Sequence, residues 1–121
     1  MRFARWAFTA AGIYGLVVLT PFLFLERQVA APAAGLVHPE YFYGFLVVAI
    51  ACQLLFLLIG RDPARLRPAM IAAVLEKLPF GLLVPVLWMQ GRVQTPVVML
   101  SSLDLVWGTL FIVAWLTTPK T

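Results

Sequence analysis

Four apolar stretches of about twenty residues run along the chain, separated by short segments that carry half of its charges. About 20 residues at ~1.5 Å rise each span the ~30 Å hydrocarbon core of a bilayer. The pattern therefore predicts one domain with four transmembrane helices, over residues 4–25, 40–59, 68–90 and 96–116. Their even number and the short connections predict an all-α, antiparallel four-helix bundle with both termini on the same side.

Residues at the boundaries support this division. Ala7, Ala11 and Gly15 recur every four residues and share one face of the first span, where small side chains let another helix pack closely. Small residues at 29–33 raise a signal peptide as the competing reading, but the apolar run before them exceeds the ~7–15 residues of a signal core. Pro39 suits a first helical position and Glu40 a positive helix start, and Tyr41, Phe42 and Tyr43 form an interfacial aromatic belt. Gly60 is expected to stop the second span, and Asp62 with Pro63 to make a short interfacial turn. Pro68 opens the third span and Gly91 ends it. Thr95 caps the fourth span and Pro96 begins it.

Composition changes the picture only by excluding alternatives. Of 121 residues, 63% are hydrophobic and 12% charged, where a soluble domain is nearer one-quarter charged. The net charge of +4 comes from scattered basic residues with no polybasic run, so a nucleic-acid partner is not expected. Arg2, Arg5, Arg61, Arg65, Arg67 and Lys120 flank one side of the spans, against Arg27 and Arg92 on the other, which predicts cytoplasmic termini. The single cysteine, Cys52, excludes an intrachain disulfide and reads as a small core residue.

The chemistry lies in the third and fourth spans. Ionisable groups at membrane depth mark functional sites by default, and Glu76 and Lys77 sit side by side inside the third span. They lie ~10–12 Å from its cytoplasmic end, a level shared by Tyr14, Gln53 and Thr109 on the other helices. Adjacent residues project ~100° apart, so Glu76 and Lys77 are expected to need separate partners. Glu76 is expected to face the bundle interior, within reach of Gln53 or Tyr14. Asp104 lies deeper, at ~19 Å. Pro85 cannot donate to the Gly81 carbonyl, so a neutral Asp104 acid donating to that carbonyl is the expected arrangement; the rival is Lys77 reaching up to an ionised Asp104 against the direction its side chain prefers. Pro79 likewise frees the Leu75 carbonyl. The candidate ligand-binding residues are thus Glu76, Asp104, Gln53, Tyr14 and Lys77.

Other sites find little support. His38 is the only histidine, so neither a bis-His haem pair nor a metal site is expected, and no cofactor is implied. Ser101 and Ser102 lack a histidine base and read as packing or backbone-bonding residues. No nucleotide or nucleophile motif appears, so the residues assign no reaction.

The segments HPEYFYGF, GRDPARLRP and VLEKLPFG, followed by the Asp104 helix, resemble a family of small four-span bacterial inner-membrane proteins over residues 38–116. That resemblance implies a fold and an inner-membrane location, with no activity attached. Small multidrug resistance exporters are similar in length but carry their signature acid in the first helix, where residues 4–25 have none. The chain also resembles, more loosely, the DoxX-like and EXPERA-type four-helix proteins, which use acidic residues inside a bundle around a lipid-like ligand. Three functions follow as expectations: a bundle binding a hydrophobic molecule beside Glu76 and Asp104, a dimeric proton-coupled transporter, and an accessory subunit of a larger membrane complex. Membrane lipids are expected partners in all three.

Overall fold

A computed structural model describes residues 2–24 and 39–119. It contains four long helices, α1 (Arg2–Leu19), α2 (Pro39–Arg61), α3 (Ala69–Met89) and α4 (Thr95–Thr117), and a 3-10 turn over Thr20–Phe24 that extends α1. All four, with α1 counted through that turn, are long and apolar enough to cross a membrane. Large apolar side chains such as Val17, Leu54, Leu75, Leu82 and Leu116 are exposed on their outer faces. Helices apolar all round suit lipid rather than water, and the fold fits a small multi-pass membrane protein.

The helix ends differ from expectation at three positions. The α-helical part of α1 ends at Leu19 because Pro21, lacking an N–H, cannot continue the ladder, and the chain tightens into the 3-10 turn. The helix α2 runs through Gly60 to Arg61, so Gly60 is no stop. A Cβ there would collide with the Thr9 hydroxyl, so this glycine lets α1 approach. Thr95 is the first residue of α4 rather than its cap, and Gln94 precedes it without a side-chain cap. Gly91 does end α3. At φ +72° it places its own N–H 2.9 Å from the Trp88 carbonyl and that of Arg92 2.9 Å from the Leu87 carbonyl, a Schellman closure. In the turn after α2, the Arg65 N–H reaches the Asp62 carboxylate at 3.5 Å.

Packing joins the helices in two close pairs. In the first, α1 and α2 run in opposite directions. Arg5 Nη1 donates to the Arg61 carbonyl at 2.7 Å, Gly60 abuts Thr9, Gly12 abuts Leu57, and Gly15 makes room for Gln53. In the second, a Cβ on Gly81 would meet Leu105, and one on Gly108 would meet Leu78 and Lys77, so glycine on each helix brings α3 and α4 together. Where lipid replaces water, helices associate through such close contact rather than through hydrophobic exclusion.

The pairs meet mainly at the end that carries Arg5, Arg61 and Arg67. Ala4, Phe8, Ala11, Phe56, Ile59, Met70, Ala73, Phe111 and Ala114 form a buried core there. At its centre Phe8 stacks on Phe111 with ring centroids 4.2 Å apart, and Phe56 meets Phe111 edge-on at 5.0 Å. Arg67 fastens the end of α4. Its Nε donates to the Trp115 carbonyl at 3.1 Å and the Thr118 carbonyl at 2.9 Å, and its guanidinium lies 4.2 Å over the Trp115 ring. Those carbonyls belong to the last turn, which has no partners within the helix.

Candidate functional site

Toward the opposite end the two pairs part and leave a partly open cavity of about 650 Å³. Every helix contributes to it: α1 through Tyr14 and Gly15, α2 from Phe42 to Gln53, α3 from Glu76 to Phe80, and α4 from Val97 to Asp104. The walls are mainly apolar, with Phe22, Phe42, Phe45 and Phe80 among them. Phe45 and Phe80 come within 5.9 Å of each other, centroid to centroid, across the space between α2 and α3. The polar groups gather at the floor, next to the filled core. All of Tyr14, Gln53, Glu76, Lys77 and Asp104 line it.

Lys77 organises that floor. Its Nζ donates to Asp104 Oδ1 at 3.4 Å and lies 3.5 Å from Glu76 Oε2. The ammonium also sits 5.4 Å from the centre of the Phe56 ring, within cation–π range. The side chain is only 6% exposed. A charge so placed is held by its partners, because a lone ammonium out of water is expensive. Two sequence expectations are corrected here. Asp104 Oδ1 accepts from the Lys77 ammonium, in place of the expected donation from Asp104 to the Gly81 carbonyl. Glu76 and Lys77 do not need separate partners, since they pair with each other.

The physical reason lies in α4. Gly108 faces Lys77 Cβ and leaves a groove along the α3–α4 contact. The lysine stem follows that groove across the ~6 Å, four residues at ~1.5 Å each, that separates Gly108 from Asp104. The stem thus runs against the direction in which helical side chains lean. Counting depth along single helices places Lys77 and Asp104 on different levels. It is blind to a flexible four-carbon stem bridging them.

Gln53 is fully buried. Its Nε2 donates to the Ala49 carbonyl one turn back at 2.7 Å. Its Oε1 occupies the space where Gly15 lacks a side chain and has no hydrogen-bond donor. Glu76 Oε2 is buried and likewise accepts no hydrogen bond. The expected hydrogen bond from Gln53 to Glu76 is therefore not made at Oε2. Tyr14 turns its ring to Trp107, centroids 5.6 Å apart, while bordering the cavity.

Thr109 does not join the floor. It is exposed and donates to the Leu105 carbonyl of its own helix at 2.8 Å. Ser101 and Ser102 both donate to the Val98 carbonyl at 2.9 Å, as their sequence context suggests. Cys52 is half-buried, packed against the core on one side and bordering the cavity on the other. His38 lies outside the described residues. Of the aromatic walls, the sequence marks Phe42 as interfacial and Phe80 as sharing the Glu76 face of its helix, and does not point to Phe22 or Phe45. What could have found Phe45 is its spacing: Phe42 and Phe45 share a face of α2 at i, i+3.

As a chemical object the site is an apolar, aromatic-walled chamber closed at one end by two carboxylates around one ammonium. It can hold an apolar body and orient a polar head. Against protein-family models, curated proteins and solved structures, the chain has no match.

Proposed function

We propose that this protein is an antiparallel four-helix bundle of the bacterial inner membrane, with both termini cytoplasmic, that binds a hydrophobic or lipid-like small molecule. Arg5, Arg61 and Arg67 gather at one end of the helices, and the positive-inside rule assigns that end to the cytoplasm. The cavity then opens within the outer half of the membrane.

The observation that carries the reading is the cavity itself. Its volume of about 650 Å³ falls in the ~300–1,000 Å³ range of small-molecule sites, which are mostly apolar with a few placed polar groups. A transporter needs a path to both faces, and the stacked Phe8, Phe56 and Phe111 rings fill the arginine end. A purely structural subunit has no use for a hollow half, and the small residues Gly12, Gly15 and Gly60 are already spent on contacts within the chain.

Native mass spectrometry of the protein extracted with its lipids tests this reading and reports copy number as well. A retained small-molecule adduct is expected on the wild type. Ala49→Phe, which enlarges a buried side chain on the cavity wall, should lose it while keeping helical circular dichroism. An adduct retained equally by both proteins would refute the cavity as its site.

A further inference from the structure

Resting on the cavity as a ligand site, we infer that its preferred occupant is an amphiphile with a cationic ammonium head, its apolar body against the aromatic walls. The argument begins with charge. Among the described residues lining the cavity, Glu76 and Asp104 are the acids and Lys77 is the one base. With all three ionised, the floor carries one negative charge in excess. In a low-dielectric setting such an excess is far more costly than in water, and a ligand that cancels it gains what the floor alone lacks.

The second observation is the acceptors at the floor. Gln53 Oε1 is a buried oxygen without a hydrogen-bond donor, and Glu76 Oε2 makes no hydrogen bond beyond its 3.5 Å ion pair with Lys77. An ammonium supplies three donors and no acceptor. A carboxylate head would meet the opposite pattern, since the one cation on the floor is buried and already engaged by both acids. The third observation is the walls. Tyr14, Phe22, Phe42, Phe45 and Phe80 present five rings to the cavity, and aromatic faces attract ammonium groups on their way to the floor.

Cys52, the only cysteine, borders the cavity and serves as a built-in reporter. The test measures its alkylation by N-ethylmaleimide in phosphatidylcholine nanodiscs, with dodecylamine, dodecanol or dodecanoate added at matched concentrations in the membrane. Dodecylamine should protect Cys52 at about one-tenth the concentration of either other probe, the factor that one charge-assisted hydrogen bond supplies. The Glu76→Gln/Asp104→Asn double variant leaves Lys77 as the sole charge and should reverse the order in favour of dodecanoate. Glu76→Gln alone should abolish the preference, and stands in should the double variant not fold.

Equal protection by all three probes in the wild type would overturn the ammonium preference and leave the cavity as a site, its excess charge met by a proton. Best protection by dodecanoate would overturn the preference too. Protection by none would overturn the site reading itself. Discs containing phosphatidylethanolamine separate the two sources of an amine head. Protection there without an added probe assigns the head to a membrane lipid, and its absence to a free lipophilic amine.

Discussion

The end of the molecule that holds Arg5, Arg61 and Arg67 and the end that holds Phe22, Phe42 and Val97 are built by the same four helices, yet one is filled and the other hollow. At the filled end, small residues on α1 alternate with Phe8, and three interlocked rings bridge α1, α2 and α4. At the hollow end, α1 stops being α-helical at Leu19 and aromatic side chains line a space instead of filling it. The boundary between the halves is the charged floor. Each half suits a different task. The filled one fixes where the helices stand, and the hollow one exposes polar groups that the filled half positions. Lys77 touches both, with its ammonium near the Phe56 ring below and the cavity above.

If that division holds, aromatic truncations should separate by location. Phe111→Ala removes the ring that stacks on Phe8 and should cost ~3–5 kcal/mol, the usual penalty for a buried phenylalanine. Phe45→Ala, on the cavity wall and 51% exposed, should cost less than ~1 kcal/mol and weaken ligand retention instead. Reversible unfolding in mixed micelles measures both. Equal losses of stability would mean that the hollow half is as much a scaffold as the filled one.

Lys77→Met tests the floor between them. Removing the ammonium leaves Glu76 and Asp104 as two partly buried carboxylates without a cation, and breaking a buried ion pair in this way costs ~3–5 kcal/mol. The triple variant Glu76→Gln/Lys77→Met/Asp104→Asn should recover most of that loss, because no uncompensated charge remains. A single Lys77→Met variant as stable as the wild type would show that the carboxylates do not depend on Lys77.

The two halves were also unequally legible in the sequence. The number and extent of the helices follow from apolar run length, and the floor residues Tyr14, Gln53, Glu76, Lys77 and Asp104 follow from polar groups at membrane depth. Their pairing does not. It depends on how α3 and α4 rotate against each other at Gly81 and Gly108, which the periodicity of either helix leaves open. Gly60 was misleading for the same reason, because a glycine that ends a helix and one that admits a neighbour look alike in sequence. The cavity has no sequence signal of its own, being the place where side chains from four helices fail to meet.

Arg67 belongs wholly to the filled half, and its effect should be intermediate. Arg67→Ala leaves the Trp115 and Thr118 carbonyls without its guanidinium and removes the stack on Trp115. A loss of ~1–3 kcal/mol is expected from charge-assisted hydrogen bonds of this kind, with no change in ligand retention. Hydrogen exchange should locate the loosening in the last turn of α4. Loosening spread evenly over α4 would mean that Arg67 does more than cap.

The smallest effect sharpens the boundary most. Thr109 and Gln53 lie at similar depth by residue count, yet they occupy different surroundings. Thr109 is exposed on the outer face of α4 and satisfies its hydroxyl with the Leu105 carbonyl four residues earlier. Gln53 is fully buried between α1 and α2 beside Gly15, and its Oε1 has no donor. Thr109→Val removes a hydroxyl bonded only to its own helix, so the substitution should change stability by less than ~0.5 kcal/mol and leave Cys52 alkylation as in the wild type. Gln53→Leu removes the orphaned Oε1 together with the Nε2 bond to Ala49. Its stability change should therefore also be small, because an unpaired polar atom and a made hydrogen bond are lost together. Its ligand retention should fall, since an acceptor at the floor is gone. The pair of variants thus separates depth from orientation. A Thr109→Val variant that alters Cys52 protection as much as Gln53→Leu would place Thr109 on the floor and redraw the boundary of the site.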